Sequence, residues 1–163
     1  MVRPGYWGTE MEEETPEGVH VWLVLVKALH AVSKLIQADL RGTGLGESDF
    51  RVLEILLHKG AQPVNVIGPK VNLTPGSISV AVDRLHGRGL VSRVEDPGDR
   101  RVRIVDLTPA GRELIVPVFR RHAAVLDEVF AVLRPEERVR LERLLKTVGR
   151  HAEFLSGMSP PRP

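Results

Sequence analysis

The chain has 163 residues, 42% of them hydrophobic and 27% charged, which suits a soluble globular protein of one domain or two small lobes. It contains no cysteine, so disulfides, thiolate zinc sites and a thiol-oxidation switch are excluded. The net charge is only +2, yet residues 59–103 hold eight Lys/Arg against four Asp/Glu, a basic centre that fits either an anion-binding surface or a plain solvated one.

Residues 1–17 carry Gly, Pro and the run Glu10-Met11-Glu12-Glu13-Glu14, and read as a flexible N-terminal arm without the apolar core or cleavage site of a signal peptide. The longest apolar stretch, VHVWLVLV, ends at Lys27 and is too short to cross a bilayer. A cytoplasmic protein with no membrane partner is expected. Residues 18–41 form a long helix, apolar nearly all round in its first half, so it must be covered on more than one side. In so small a protein the expected second cover is another subunit. GTGLG breaks this helix, and Glu47 or Ser48 opens the next, with Phe50, Leu53, Leu56 and Leu57 at helical spacing up to Lys59-Gly60. Pro63–Val71 is a third, short helix, expected to be irregular at Gly68-Pro69 because Pro69 removes a backbone donor.

Thr74-Pro75 pairs a hydroxyl N-cap with proline at the first helical position, starting a helix that Gly89 ends. Asp96-Pro97-Gly98-Asp99 is a turn between Leu90–Val94 and the alternating Arg101-Val102-Arg103-Ile104, which makes a β-hairpin with arginines at its tip. Thr108-Pro109 repeats the cap-proline pair and opens a long helix to about Leu133, with a kink expected at Pro117. Pro135-Glu136-Glu137 opens the last helix, where Val139, Leu141, Leu144, Leu145, Val148, Ala152 and Leu155 form an apolar stripe. Residues 157–163 read as a disordered tail.

The fold class is therefore mainly α with a small β-hairpin wing. Residues 47–108 make a winged helix-turn-helix, and 18–41 with 109–156 a helical dimerisation region. At 100° per residue, Ile78, Ala81, Val82 and Leu85 share an arc of about 100° and form the core face of the fourth helix. The opposite face carries Gly76, Ser79, Val80, Asp83 and Gly87, flanked by Ser77, Arg84 and Arg88. An ordinary solvated helix favours Glu, Lys and Gln there. Small and hydroxylic residues with one aliphatic group suit a helix in a DNA major groove, with Val80 on a thymine methyl and the helix N-terminus and Arg84 at phosphates. A wing arginine would gain from the negative potential of the minor groove.

The segment IGPKVNLTPGSISVAVDRLHGRGLVSRVEDPGDRRVRIVDLTPAGREL resembles the MarR family of bacterial transcription regulators, more weakly over roughly residues 20–155. Three motifs match in order: TPGSISVAVDRL, the junction RGLVSR, and DPGDRR with its exit strand and LTPAG. The resemblance implies that Asp99 braces the wing, Arg101 enters the minor groove and Arg100 lies near phosphate. It places Ser77, Ser79, Val80 and Arg84 on the major-groove helix and implies a symmetric dimer. The DNA-binding set is thus Thr74, Pro75, Gly76, Ser77, Ser79, Val80, Asp83, Arg84, Arg88, Asp99, Arg100 and Arg101. Two departures from the family pattern are Pro69 and Arg134, the latter where a Ser or Thr cap is usual. HKGAQPVNVIGPKVNLTPGSISVAVDRL looks most like the branch that responds to quinones and other small phenolics.

Other signals carry less. GTGLG follows a helix and not a strand, the wrong context for a dinucleotide fingerprint. His30, His58, His86, His122 and His151 show no i,i+4 pair and read as packing or surface residues, beside the alternative of a zinc site assembled across helices. No carboxylate pair is placed for acid–base work. No enzyme activity, cofactor or resident metal is expected. The expected function is a homodimeric repressor reading a pseudo-palindrome with half-sites ~10 bp apart, released by a phenolic or other aromatic effector through a population shift. Trp22, Leu25, Val26, His30, Phe50 and Leu53 are the expected pocket lining, against the plainer reading that they are core. The alternative function is a winged-helix dimerisation and protein-interaction module without specific DNA binding.

Overall fold

The computed structural model describes residues 17–95, 98–99 and 102–158. These fall into two compact units, one up to Ala38 and one from Asp39 onward. The elements are α1 (Glu17–Leu40), α2 (Glu47–Lys59), β1 (Gln62–Pro63), α3 (Val64–Lys70), α4 (Pro75–Gly87), β2 (Val91–Glu95), β3 (Arg103–Leu107), α5 (Pro109–Phe130) and α6 (Pro135–Met158). The expected order stands, with β1 added. Its two residues pair antiparallel with Val105 and Ile104, so the wing is a three-stranded sheet in the order β1-β3-β2.

The described part of the first unit is α1 up to Ala38, and exposed Val19, Val21, Trp22 and Leu29 run along this continuous 24-residue helix. The helix runs to Leu40, close to the expected bounds of residues 18–41. By length and composition it could cross a bilayer, which corrects the expectation drawn from the shorter apolar stretch.

The second unit has a dense core. Val52, Leu53 and Leu56 of α2, Ile67 of α3, Leu85 of α4, Val91, Val105 and Ile115 are all fully buried. Each such side chain contributes about 1.5–3 kcal/mol relative to exposure. The buried residues of α4 are Ile78, Ala81, Val82 and Leu85, the face expected from helical spacing. In β3 the fully buried side chain is Val105, on the face of Arg103, while Val102 and Ile104 are only half-buried. β3 is the central strand, with Val105 between Gln62 and Arg93 and Ile104 between Pro63 and Val94, so the two differ in the sheet face they present.

Local signals fix the ends of α4 and α5. Thr74 Oγ1 accepts from Ser77 N at 3.2 Å, and Thr108 Oγ1 accepts from Gly111 N at 3.0 Å. Past α4, Gly89 takes φ +69, Gly89 N donates to His86 O and Leu90 N to Leu85 O. That pair of bonds is the Schellman arrangement, and it satisfies two end carbonyls of the helix. Leu90 O then accepts from Thr108 N at 3.1 Å, and a Cβ on Gly111 would stand 1.9 Å from the same oxygen. Gly111 is therefore required by close approach of the α5 start to the α4–β2 junction.

α3 runs through Pro69 and ends one residue later, so the missing donor falls in the last turn, and Asn72 at φ 54 turns the chain onward. α5 is continuous through Pro117 and ends at Phe130, short of Leu133. Arg134 lacks a hydroxyl, but Glu137 reaches back: its Oε2 accepts from Arg134 N at 2.8 Å and its Oε1 from the Arg134 guanidinium at 2.9 Å. This is the reciprocal half of a capping box. Those bonds, from the guanidinium first, hold the Glu137 carboxyl below its ordinary pKa. α6 extends to Met158, so the helix takes in the first two residues expected in the tail. The arm expected over residues 1–17 lies outside the described residues up to residue 16, and Glu17 is already helical.

Candidate nucleic-acid interface

α4 presents Thr74, Pro75, Gly76, Ser77, Ser79, Val80, Asp83, Arg84 and Arg88 on its exposed side, as the sequence predicted. Val80 is 59% exposed, although it belongs to the best-packed unit of the chain. The hydroxyls beside it are oriented by local bonds. Thr74 Oγ1 donates to Ser77 Oγ at 2.8 Å, and Ser79 Oγ donates to Pro75 O at 3.0 Å. Ser79 therefore keeps its oxygen as an acceptor and Ser77 its proton as a donor, complementary capacities for base edges or phosphates. The N-terminus of the helix adds partial positive charge at the same end.

Ion pairs brace this helix on both flanks, and none has a partner close by in the sequence. On one flank Arg84 grips Asp49 from the first turn of α2, with Nε at 2.9 and 3.0 Å and Nη2 at 2.6 Å. Hydrogen bonding to Asp49 raises the Arg84 pKa above its ordinary value. On the other flank Asp83 pairs with Arg93 of β2, tying the wing to the helix. A charged residue inside the apolar stripe of α2 was the one available sign of the first pair. Arg84 was expected at phosphate; its Nε and Nη2 edges are committed to Asp49.

Between α3, α4 and the wing lies a groove of about 520 Å³, lined by Asn65, Pro69, Ser79, Asp83, Arg93 and Val102 among others. Asp99 stands at the far end of the wing, its carbonyl accepting from Val102 N at 2.8 Å. Arg100 and Arg101, the wing-tip probes of the sequence reading, lie outside the described residues. Of the residues expected to line an effector pocket, Trp22, Leu25, Val26 and His30 belong to α1, with Trp22 and Val26 exposed. Phe50 and Leu53 are core side chains of the second unit, 2% and 0% exposed, so a ligand reaches them only where that core opens. His122 is buried against Phe50, the rings 4.6 Å apart. Among the described residues no three His, Asp or Glu side chains converge as metal ligands.

Residues 45–102, which run from the start of α2 to the wing, match the sequence model of the MarR family. The chain is 37% identical over 139 residues to the HTH-type transcriptional regulator MhqR of Bacillus subtilis, covering 85% of this chain and 96% of that protein. Among solved structures it is similar to BpsR of Bordetella bronchiseptica, whose DNA binding is regulated by 6-hydroxynicotinic acid. There the TM-score is 0.72 at 27% identity, over 80% of this chain and 98% of the other. The fold is shared with Sco3205 of Streptomyces coelicolor, solved in complex with DNA, with a TM-score of 0.76 at 24% identity over 90% and 94% of the two chains. A braced helix with a small, hydroxylic, Val80-bearing face, set in a winged unit that matches these relatives, identifies the chain as a DNA-binding transcriptional regulator of the MarR family.

Proposed function

We propose that the protein is a homodimeric, cytoplasmic repressor that reads a pseudo-palindromic operator and is released by a small hydroxylated aromatic effector. The observation that carries the DNA reading is the exposed face of α4, where Val80 stands open to solvent among Ser77, Ser79 and Gly76. The second copy is supported by the terminal helices. α1 exposes Val21, Trp22 and Leu29, and α6 exposes Val139, Val148 and Phe154. Apolar surface of that extent calls for a partner, and two copies of a DNA reader match a two-fold operator. A dimer also accounts for the apolar length of α1 without a membrane.

The hydroxylated aromatic effector class is supported by 6-hydroxynicotinic acid, which regulates DNA binding by the similar BpsR. Within the winged unit, Thr74, Pro75, Gly76, Ser77, Ser79, Val80 and Asp83 form the groove-facing set, and Asp99, Arg100 and Arg101 the wing contacts. Trp22 with Leu25, Val26, His30, Phe50 and Leu53 remains the proposed effector lining. The protein works by binding and not by catalysis.

The test is fluorescence anisotropy with a duplex selected from a randomised pool against a scrambled one, using wild type and Arg101→Ala. Tight, salt-sensitive binding to the selected duplex, weakened in the variant, is expected. Equal weak binding to both duplexes, indifferent to Arg101, would favour the protein-interaction module. Trp22 emission, titrated with a panel of phenolic acids against the preformed complex, checks the effector.

A further inference from the structure

Asp49 is 2% exposed, in the first turn of α2 beside Phe50 and one turn before Val52 and Leu53. Burying a carboxylate in such a place is costly unless donors replace its lost water. Two arginines of α4 supply them. Arg84 meets both oxygens side-on, and its Nη2 also donates to Ser48 Oγ at 3.2 Å. Arg88, one turn later, brings Nη1 to 4.0 Å from Asp49 Oδ2 and donates to Gly44 O at 2.8 Å. Both arginines of this flank of the recognition helix therefore converge on one junction, the loop entering α2 and its first turn.

The geometry fixes a particular degree of freedom. Arg84 and Arg88 are i,i+4 neighbours, so they lie one above the other on α4. Rotation of α4 about its own axis would pull both guanidinium groups off the junction together. The same rotation decides which of Ser79, Val80 and Asp83 faces a groove. A turn of ~20° moves a side-chain tip ~5–6 Å from the axis by about 2 Å, enough to break a base-edge hydrogen bond.

We propose that Asp49, acting through Arg84 and Arg88, is a positioning residue that sets the rotation of the recognition helix, so that the pair supplies sequence discrimination and not attraction to phosphate. The assignment rests on the reading of α4 as the groove-facing helix.

Anisotropy titrations of the full chain test it, with the pool-selected duplex and its scrambled counterpart over ~50–200 mM salt. The proteins are wild type, Asp49→Asn, Arg84→Lys and Arg84→Ala, each checked for folding by thermal unfolding. Asp49→Asn and Arg84→Lys are expected to lower the selected-over-scrambled ratio by about tenfold or more, about one base-pair contact. The salt slope stays at the wild-type value. Lysine keeps the charge but cannot reproduce the side-on pair, so it does not rescue. The proposal is overturned if Arg84→Lys matches wild type while Arg84→Ala weakens both duplexes equally and reduces the slope by about one, the signature of a phosphate contact. Where a single variant does not fold, the apolar pair Asp49→Leu/Arg84→Met removes both charges together. In that double variant a lowered selected-over-scrambled ratio with an unchanged slope supports positioning, and an unchanged ratio or a slope reduced by about one overturns it. Wild-type discrimination between the duplexes checks the groove-facing reading separately.

Discussion

The winged unit and the terminal helices have similar apolar content and opposite fates for it. α2 and α4, 13 residues each, bury five and four side chains. α1 and α6, 24 residues each, bury Leu40 alone and, among the described residues, none. The winged unit is closed by its own contacts: caps at Thr74 and Thr108, ion pairs at Asp49 and Asp83, and a core of fully buried aliphatic residues. Exposed valines and leucines on α1 and α6 leave hydrophobic stabilisation unused, at about 25 cal/mol for every Å² left in water. One region is complete as a single chain, and the other leaves open the apolar faces proposed above to meet a second copy. Val80 is then informative because it is an open apolar residue in the closed region.

The sharpest way to break this contrast is to charge the open region. Leu144→Asp with Val148→Asp alters residues that are 52% and 59% exposed, so folding of the single chain is expected to survive. Sedimentation should show a monomer, and operator affinity should fall by a factor on the order of 10² or more as the two half-sites lose their linkage. A persistent dimer would move the interface elsewhere. A pair of glycines makes the next comparison. Gly111→Ala, whose Cβ meets Leu90 O, should cost about 1–3 kcal/mol in chemical denaturation. Gly149→Ala, within α6 and with nothing within 4 Å of its Cβ, should instead stabilise by about 0.5–1 kcal/mol. Equal effects would erase the difference in packing between the two regions.

Val80→Ala is a smaller change and separates stability from recognition. Its unfolding midpoint should match wild type, while discrimination at one base pair falls by about 1 kcal/mol; an altered midpoint with intact discrimination would return Val80 to packing. The smallest effect belongs to the start of α6. The Glu137 pKa is lowered by the Arg134 guanidinium and then by its backbone N–H, so its cap stabilises above the ordinary glutamate pKa and is lost as pH falls through the lowered value. Wild type should therefore melt slightly above Glu137→Gln at neutral pH, with the difference fading as pH falls below the ordinary glutamate pKa. A difference independent of pH would contradict the cap.

What could be read from the sequence was local or periodic. Thr74-Pro75, Gly89 and Thr108-Pro109 mark helix ends by side-chain chemistry within three residues. The core face of α4 follows from helical spacing. What was missed is either too short or too distant. β1 is two residues, one of them proline, and carries no strand signal of its own. The Asp49–Arg84 pair spans 35 positions, so no window around either residue contains its partner. Arg93–Asp83 requires the hairpin to fold back before the residues meet. The uninterrupted apolar stretch VHVWLVLV ends at Lys27, but over the whole helix Lys27 and Lys34 are outweighed by the apolar residues around them. At Arg134 the N-cap residue offers no hydroxyl, and the capping bond comes from Glu137, three residues later.

The junction of Gly89 and Leu90 with Thr108 has a consequence for how such proteins can diversify. Thr108 Oγ1 donates to Gly89 O at 2.7 Å and Thr108 N to Leu90 O, so the chain leaves and re-enters the helical framework at one clasped point. Between these points Val91 and Val105 belong to the core, so the segment is anchored at its root as well as clasped. Changes confined to the turn between Glu95 and Arg103 are therefore expected to leave α4, α5 and their spacing in place.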